Sequence, residues 1–412
     1  MRILYVIPRY AQDLMGNRIH TEVIHCWQKE GVEIEVVCFA AGQSRPVSEV
    51  VEGIPVHRLP LNRSLPEKAI NRAVGMLLRY PYFPGALQQY RAFLRRNPPF
   101  DLVHMETAYP LGAMSTFVRA DEHPPMAVTL PGADVMAEPA YDYGFARYGL
   151  VRRGLRRVWR RAALIRADSR RIRDLAVRLG CPPAKATAIP YNITDGDFPP
   201  VDVPLEVFRA GCRTTVLARH KLPADAAVVL SLSRLHPFKG VEYLVRAAPE
   251  VLAAAPHTHF LIAGPSRTTP QFGDYGAYLR RLAAEHGVGE QVHLIGTVAH
   301  EEVRTYMAAA NATVVPSVVE ALNRVAIEAA AVGTPSVVTH TTGITDYILE
   351  HGCGLIVEPR APGSIAAALR ILLADPQRAA WIGRHGPEMA AGFRSEVIAS
   401  DLLAAYRNIV YS

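Results

Sequence analysis

The sequence predicts an α/β protein of two domains, each built on a parallel sheet. Short β-rich apolar runs alternate with helical patterns over the whole length, which is typical of layered βαβ units. The chain has 412 residues, enough for two full-sized cores. Near its middle, Asn192, Gly196 and four prolines break both helix and strand patterns. We therefore expect domains at 1–190 and 205–393, a linker at 191–204 and a C-terminal helix at 394–412.

Candidate strands follow one another in both halves of the chain. Those of the first half are Ile3–Ile7, Ile34–Phe39, Leu102–His104, Ala127–Leu130, Leu164–Ala167 and Thr187–Ile189. Those of the second half are Ala227–Ser231, His259–Ala263, Val292–Ile295, Thr313–Val315 and Ser336–Val338. Ligands of open parallel sheets bind at the carboxyl ends of the strands, so two such domains would face each other across an interdomain cleft. The loops after the strands are where chemistry is expected.

The composition excludes several classes of protein. With 50% hydrophobic and 20% charged residues, the chain is neither disordered nor collagen-like. Its five cysteines are scattered without C-x-x-C spacing, so no disulfide framework or zinc site is indicated. The apolar run before Pro8 is too short for a signal-peptide core, and no apolar stretch approaches the roughly 18 to 20 residues of a membrane span. We expect a cytoplasmic protein.

The net charge of +7 is unevenly distributed. Residues 1–200 carry 27 basic and 19 acidic side chains, whereas residues 201–412 carry 18 and 19. Eleven arginines and one acid, Asp168, lie between Arg147 and Arg173. There, an apolar set recurs at helical spacing and predicts one buried helical face: Val151, Leu155, Val158, Ala162 and Ile165. The rest of that helix carries Arg152, Arg153, Arg156, Arg157, Arg160 and Arg161.

Two interpretations of this arginine face stay open. It could hold the protein at the inner face of the cell membrane, where each basic residue near an anionic surface contributes about 1 kcal/mol. It could equally be the solvated side of a helix packed in the core. Nucleic-acid binding is disfavoured, because only Tyr148 and Trp159 are interleaved with the arginines and no recognition motif accompanies them.

The most informative stretch is PSVVEALNRVAIEAAAVGTPSVV, which contains the two glutamates Glu320 and Glu328. Its apolar spacing and Gly333 predict a helix that begins after Glu320 and contains Glu328 about a turn and a half inside. The helix N-terminus between them is suited to a diphosphate. Ionised carboxylates accept hydrogen bonds from sugar or ribose hydroxyls. Two glutamates on a helix are also common as plain surface charges.

Two cations follow the first strand of the second half, in LSLSRLHPFKGVEYLVRA. Arg234 and Lys239 lie on a short turn bounded by Pro237 and Gly240, between a strand and a helix. On such a turn they could neutralise a leaving diphosphate. A solvated basic turn is the alternative. The chain has only five lysines, which favours a role for Lys239.

These segments resemble the retaining GT-B glycosyltransferases of family 4. SLSRLHPFKG, IAGPS, HLIGTV, PSVVEALNRVAIEAAAVGTPSVV and GCGLIVEP occur in the family's order and approximate spacing over residues 230–360. The first half matches more loosely, through Gly16, DLVH at 101–104, the T-x-x-G-x-D segment at 129–134, ADS at 167–169 and IPYNITDGDF. The resemblance implies a GT-B fold of two Rossmann-like domains, with acceptor bound by the first and nucleotide-sugar donor by the second.

The resemblance also implies roles for individual residues. Arg234 and Lys239 would hold the donor's diphosphate, Glu328 the ribose and Glu320 the sugar. Gly16 would approach the phosphates from the first domain, and backbone near Gly264 and at 295–297 would border the nucleobase. The residues to which it assigns catalysis are Glu320, Arg234, Lys239 and Asp134. The residues to which it assigns donor binding are Gly16, Arg234, Lys239, Gly264, Ile295, Gly296, Thr297, Glu320, Leu322, Asn323 and Glu328.

The sequence departs from the family pattern in two places. Many members have His-Gly where this chain has Pro131 and Gly132, and that histidine helps to position the donor sugar. Many have Phe-Gly where this chain has Leu322 and Asn323. Asp134 does match, and we assign it a sugar or acceptor contact. Both departures lie around the sugar, so its identity is left open.

By resemblance, the reaction is transfer with retention of configuration. The acceptor hydroxyl attacks from the face that the nucleotide leaves, and the leaving phosphate takes the proton. Cations and a helix N-terminus stabilise the diphosphate, so no metal is required. The co-substrate would be a UDP-, GDP- or ADP-sugar. The acceptor would be a glycan, a glycolipid or a small metabolite.

Other functions are weighed against this one. Within the fold, the chain could be a soluble enzyme for a small metabolite or a nucleotide-sugar epimerase, instead of serving surface polysaccharide or glycoconjugate synthesis. An NAD-dependent oxidoreductase is disfavoured because the first turn, PRYAQDLMGNRIH, lacks the G-x-G-x-x-G fingerprint. A non-catalytic sugar-binding protein is disfavoured because the two cations and two glutamates are retained.

Several histidines and aromatic residues are ambiguous. His20, His25 and His104 could line a cleft or be structural. The aromatic stretch could meet the acceptor or belong to the core; it consists of Tyr80, Tyr82, Phe83 and Tyr90.

Overall fold

A computed structural model describes residues 1–11, 15–61, 64–78 and 84–411. The chain divides into two compact units. The first comprises Met1–Asn192 and Ser395–Ser412, and the second comprises Ile193–Arg394.

The first unit contains an eight-stranded sheet. Its strands are β1 Arg2–Val6, β2 Glu33–Ala40, β3 Val47–Val51, β4 Ile54–Pro60, β5 Leu102–Met105, β6 Met126–Leu130, β7 Leu164–Ala167 and β8 Ala186–Ala188. They lie in the order β3-β4-β2-β1-β5-β6-β7-β8, and every neighbouring pair is parallel except β3 and β4. The six predicted strands all form. The added pair was missed because β3 is a mostly exposed edge strand and β4 contains Pro55 and Pro60.

Helices connect these strands. They are α1 Met15–Lys29, α2 Leu65–Leu78, α3 Pro84–Arg96, α4 Ala113–Ser115, α5 Gly149–Arg161 and α6 Arg170–Arg178. The arginine-rich α5 buries Val151, Leu155 and Val158, as its apolar spacing predicts. The predicted face is wrong at its end, because the helix stops at Arg161. Ala162 is already extended, and Ile165 belongs to β7.

The second unit contains a six-stranded parallel sheet and a small hairpin. In chain order the strands are β9 Ala227–Leu232, β10 Thr258–Ala263, β11 Thr268–Thr269, β12 Gly273–Asp274, β13 Val292–Gly296, β14 Ala312–Val315, β15 Ser336–Thr339 and β16 Gly354–Val357. The sheet order is β13-β10-β9-β14-β15-β16, and β11 pairs with β12 antiparallel. The five predicted strands form, together with β16, which was not predicted.

Helices cover both faces of this sheet. They are α7 Leu205–Arg219, α8 Val241–Ala254, α9 Tyr275–Glu285, α10 His300–Ala309, α11 Arg324–Ala331, α12 Thr345–His351, α13 Pro362–Ala374, α14 Pro376–Gly383 and α15 Gly386–Ala391. Side chains alternate across β9, so that Val229 packs in a cluster with α8 and α13. Its neighbours Val228 and Leu230 pack in a different cluster, with α7 and α10. Both faces are therefore buried, as expected for a parallel sheet.

The C-terminal helix, α16 Ser395–Val410, belongs to the first unit. Trp27 donates its indole N–H to the carbonyl oxygen of Ala399 at 2.8 Å, and the hydroxyl of Tyr406 bonds the ring of His104. Part of the segment predicted as a linker packs in the second unit, where Ile193 and Phe198 are buried. Among the helices described, none is both long and apolar enough to cross a membrane.

Candidate active site

The candidate donor site lies at the carboxyl edge of the second unit's main sheet. From β9 the chain crosses to β10 on one side and later reaches β14 on the other, so the winding reverses between β9 and β14. Ligands of open α/β sheets bind in the crevice at such a switch point. The loop after β9 carries Arg234 and Lys239, and the loop after β14 carries Glu320.

These two loops are in direct contact. Gly240 has a φ of +68°, and a Cβ at this position would overlap the carbonyl oxygen of Pro316. The N–H of Val318 donates to the carbonyl oxygen of Phe238 at 2.8 Å. Because glycine allows both the left-handed backbone and the close approach, Lys239 is held beside the β14 loop.

Lys239 and Glu320 form an ion pair between the Nζ and Oε2 atoms. Their side chains are 12% and 18% exposed, so water screens the pair only in part. The hydroxyl of Ser317 lies 3.4 Å from the same carboxylate oxygen. Glu320 also bridges the loop after β15 through Thr342. A cation and an anion are thus fixed side by side at the switch point.

Further positive charge surrounds this pair. Arg234 is exposed on the same loop, and Arg267 follows β10 on the neighbouring loop. Burial lowers the pKa of His236, and the adjacent Arg234, Lys239 and Arg267 lower it further, which favours the neutral imidazole. Sequence analysis missed Arg267. The signal was available, since Arg267 lies three residues after Gly264 in a loop that follows a predicted strand.

The helix after Glu320 starts at an unusual residue. Asn323 has φ +87° and ψ +90°, and its side chain accepts the N–H of Ala326 at 3.0 Å as an N-cap. A non-glycine residue in this conformation is strained, which is a feature common at ligand sites. Leu322 is 2% exposed and packs in the core. The side chain of Leu322 therefore anchors the loop, and the N-terminus of α11 lies at the same sheet edge as Lys239.

Glu328 lies a little more than one turn inside α11 and is 7% exposed. Burial raises the pKa of its carboxyl group, with Asp197 adding to the rise, and Arg324 opposes it. The guanidinium Nη2 of Arg324 lies 3.3 Å from Oε1 of Glu328. A buried carboxylate with one cationic neighbour retains lone pairs for hydroxyl donors.

Backbone atoms join the strand ends on the other side of the switch point. Gly264 has a φ of +135°, and a Cβ there would overlap the carbonyl oxygen of Ser233. Its N–H donates to the carbonyl oxygen of Gly296 at 2.7 Å. Ile295 is half-buried, and Gly296 and Thr297 are exposed beside it. The residues assigned to the nucleobase thus share this sheet edge with the cations.

Gly16 and Asp134 belong to the first unit. Gly16 is the second residue of α1 and is exposed, with open space where a Cβ would stand. Asp134 is 1% exposed and accepts the N–H groups of Ala108 and Tyr109 on Oδ2, at 2.6 and 3.0 Å. Burial raises the pKa of Asp134 to about 7. The structure gives this carboxylate a positioning role between two strand-end loops, and its ligand contact stays a prediction.

The first unit also contains a buried polar cluster, of which the sequence indicated only His20 and His104. It surrounds Glu106, which follows β5 and is 3% exposed. The hydroxyls of Tyr5 and Tyr191 donate to the Glu106 carboxylate, and Nε2 of His104 lies 2.9 Å from it. Nε2 of His20 lies 3.9 Å from the same carboxylate.

Charge balance keeps Glu106 ionised within this cluster. Burial alone would raise its pKa, but His20, His104 and Arg166 outweigh burial, and the pKa falls well below the ordinary value. Burial lowers the pKa of His104. The chain passes from β1 to β2 on one side and later reaches β5 on the other side of β1. The cluster follows β5 and therefore lies at the switch point of the first sheet.

The remaining candidates have structural partners. His25 contacts the carbonyl oxygen of Glu52 at 2.8 Å through Nε2, and the hydroxyl of the buried Tyr90 bonds His123. The other residues of the aromatic stretch lie outside the described residues; they are Tyr80, Tyr82 and Phe83. Within the described parts of the chain, no group of three or more His, Cys, Asp or Glu side chains could hold a metal ion.

Two families of protein match the chain, one for each unit. A Glycosyl transferase 4-like domain matches residues 16–192, and Glycosyl transferases group 1 matches residues 213–389. D-inositol 3-phosphate glycosyltransferase 1 of Catenulispora acidiphila is 28% identical, over 94% of this chain and 89% of that protein. The putative teichuronic acid biosynthesis glycosyltransferase TuaC of Bacillus subtilis is 24% identical, over 90% and 88%.

Solved structures share the fold. HepE of Anabaena, solved in complex with UDP and glucose, superposes with a TM-score of 0.73 at 18% identity, over 98% of this chain and 99% of that one. Each unit of this chain has a largely parallel sheet with a switch point, and the chain as a whole shares the GT-B fold. The chain is a glycosyltransferase, with a Glycosyl transferase 4-like domain followed by a Glycosyl transferases group 1 domain.

Proposed function

We propose that this glycosyltransferase moves a sugar from a nucleotide-diphosphate sugar to an acceptor hydroxyl with retention of configuration, without a metal ion. The observation that carries the proposal is the Lys239–Glu320 pair at the β9–β14 switch point, with the N-terminus of α11 at the same edge. Lys239 would bind the diphosphate, and Glu320 would bind the sugar. Glu328 would accept hydrogen bonds from the ribose.

In the proposed step, the bond between the sugar's anomeric carbon and the diphosphate oxygen breaks. The acceptor oxygen forms the new bond on the same face, and its proton passes to the leaving phosphate. Negative charge grows on the diphosphate as the bond breaks. Fixed cations and helix N–H groups lower the energy of that charge most strongly where water is partly excluded, as around Lys239.

The anomeric outcome and the metal requirement are tested together. We expect the product to keep the donor's anomeric configuration by proton NMR and the rate to be unchanged after EDTA treatment. An inverted product would refute the proposed stereochemistry. A loss of activity on chelation that a divalent ion restores would refute the metal-free reaction. A hydrolysis screen of UDP-, GDP- and ADP-sugars identifies base and sugar together.

For the acceptor, we propose a glycan or glycolipid of a surface polysaccharide or glycoconjugate, made at the inner face of the cell membrane. TuaC is named for teichuronic acid biosynthesis, which supports this assignment. The exposed arginines of α5 support attraction to an anionic surface; they are Arg152, Arg153, Arg156, Arg157 and Arg160. Co-sedimentation with anionic but not zwitterionic vesicles at moderate salt is the expected result. Absence of binding would remove the membrane assignment.

A soluble enzyme for a small metabolite is the second candidate, favoured by the relative named for D-inositol 3-phosphate. Transfer to inositol phosphate in the absence of lipid, at a rate independent of vesicles, would select it. Epimerisation of the donor without any acceptor would instead select the epimerase. Protection from thermal unfolding by NAD but not by UDP, GDP or ADP would contradict all three.

A further inference from the structure

An apolar cavity of about 440 Å³ lies in the first unit. It is formed at the carboxyl edge of the sheet, where Phe39 is the last residue but one of β2, Leu61 follows β4 and Tyr109 follows β5. Met114 of α4 and Leu150 of α5 also line it. Its volume falls within the range of roughly 300 to 1,000 Å³ that is typical of small-molecule sites.

The charged side chains that line this cavity are Arg153 and Arg157. They lie four residues apart on α5, so both point from the same face of the helix, and both are exposed. The guanidinium of Arg157 lies 5.1 Å from the ring centroid of Phe117, another lining residue. Phe117 and Leu150 are 45% and 44% exposed, so apolar side chains lie beside the two arginines at the rim of the cavity.

The cavity continues into strongly basic grooves through shared residues. Arg153 and Arg157 also line a groove of about 470 Å³ with Arg156 and Arg160. Arg153 lines a further groove with Arg152 and Arg156. The surface therefore changes from apolar to cationic across the width of one helix.

This arrangement selects an amphipathic anion. Sugar hydroxyls placed in the cavity would lose their hydrogen bonds to water without replacement, which is unfavourable. A hydrocarbon chain has no hydrogen bonds to lose there, and its transfer from water into the cavity is favourable. At the rim, two guanidinium forks match the oxygens of a phosphate.

We propose that the cavity binds the hydrocarbon chain of a phosphate-bearing lipid, with the phosphate held by Arg153 and Arg157, and that this lipid is the acceptor. The assignment as acceptor rests on the proposed glycosyltransferase function, whereas the lipid site itself does not. The cavity lies at the sheet edge that also carries the Asp134 loops, since Tyr109 lines the cavity and donates its N–H to Asp134.

Gly154 offers a sharp test because it lines the cavity from inside α5. A Cβ at Gly154 would meet the Cβ of Ala113 at 3.6 Å, an ordinary contact. Gly154→Ala should therefore fold and bind as the unchanged chain does, whereas Gly154→Leu places a side chain inside the cavity. Both changes favour helix formation, so a loss of binding in Gly154→Leu is not explained by helix propensity.

The charge is tested with matched double variants. Arg153→Gln with Arg157→Gln removes the two rim arginines. Arg156→Gln with Arg160→Gln removes the same charge, at the same spacing, from residues of α5 that do not line the cavity. A general electrostatic effect would weaken lipid binding equally in both.

Calorimetry with a single-chain lysophosphatidic acid below its micelle concentration measures the affinity, with glycerol 3-phosphate as the chain-free comparison. We expect the lipid to bind at least about tenfold more tightly than glycerol 3-phosphate. Gly154→Leu and the Arg153/Arg157 variant should each lose at least about tenfold, and the Gly154→Ala and Arg156/Arg160 variants less than about threefold. Equal binding of the two ligands, or unchanged binding in Gly154→Leu, would overturn the proposal.

Two further measurements separate the remaining outcomes. The first is the oligomeric state. If the unchanged chain forms a dimer and binds no lipid, and Gly154→Leu abolishes the dimer, then a second copy covers the cavity and the lipid site is refuted. Donor hydrolysis without acceptor tests the proposed function independently. If hydrolysis occurs but lipid does not bind, the inference fails alone. If lipid binds but no donor is hydrolysed, the proposed function fails and the lipid site stands.

Discussion

The ion pair between Lys239 and Glu320 leads to a prediction for both stability and activity. Lys239→Met removes the ammonium group but keeps a similar stem, and Glu320→Gln removes the carboxylate charge but keeps the shape. Exposed ion pairs contribute about 0–1 kcal/mol, whereas leaving one partner of a fully buried pair unpaired costs about 3–5 kcal/mol. The side chains are 12% and 18% exposed, between these limits. We expect each single change to lower the free energy of unfolding by about 2 kcal/mol.

The double variant separates structure from chemistry. Because neither charge is left alone, it should recover about 1–2 kcal/mol of the summed losses in urea unfolding. Its donor hydrolysis should not recover, since the cation for the diphosphate is still absent. We expect kcat/KM to fall by at least about tenfold, or 1.4 kcal/mol, in Lys239→Met and to stay low in the double variant.

Additive stability losses, within about 0.5 kcal/mol, would show that the two side chains are not coupled and would refute the argument from the pair. Full hydrolysis by a folded Lys239→Met variant would refute the assignment of Lys239 to the diphosphate. Arg370→Gln is a control for an exposed pair, because Arg370 of α13 pairs with Glu250 of α8 in the same unit at half exposure, and neither residue lies on the loops after β9 and β14. It should change stability by less than about 1 kcal/mol and leave hydrolysis unchanged.

Three further predictions concern single residues. The pKa of Glu328 is raised, and the ionised carboxylate is the form that would bind the ribose. The donor KM should therefore rise as the pH falls, and the rise should begin at a higher pH than the pKa of an ordinary glutamate would give. Glu328→Gln should raise KM at least about tenfold and flatten this dependence in a pH series. Gly240→Ala should destabilise the protein by about 2 kcal/mol or more in urea unfolding, because φ is +68° and the new Cβ overlaps Pro316; equal stability would contradict the packing of the two loops. The pKa of Asp134 is raised to about 7, so the folded state binds this proton more tightly than the unfolded state does. Ionisation of Asp134 should therefore lower the free energy of unfolding as the pH rises from about 4 through 7. Asp134→Asn should reduce that loss of stability, and an unchanged pH profile of stability would contradict the assignment.

The strands of both sheets could be predicted because each is a short apolar run that contains its own signal. Strand β9 has alternate residues in two different cores, so its continuous apolar sequence directly reflects burial on both faces. Strand β3 has no such signal, since four of its five residues are exposed. Its pairing with β4 depends on a neighbour and not on its own composition.

The residues of the candidate donor site were predictable in position for a related reason. Lys239 and Glu320 each follow a recognisable strand, and parallel strands place their carboxyl ends at one edge. That β9 and β14 are neighbours, which brings the two charges into contact, follows from the strand order. Their roles in binding and catalysis stay predictions until the variants are measured.

The sequence by itself determined the α/β class, the two-part organisation and the resemblance to glycosyltransferases, because periodicity and local motifs are properties of short segments. The tertiary structure alone decided which distant segments meet. Tyr406 and His104 are in contact although 302 positions separate them, and this contact assigns the C-terminal helix to the first unit. The Glu106 cluster and the apolar cavity likewise combine side chains from several strand ends and helices. Such contacts leave no local pattern, because their energy arises only when the sheet has set the order of its strands.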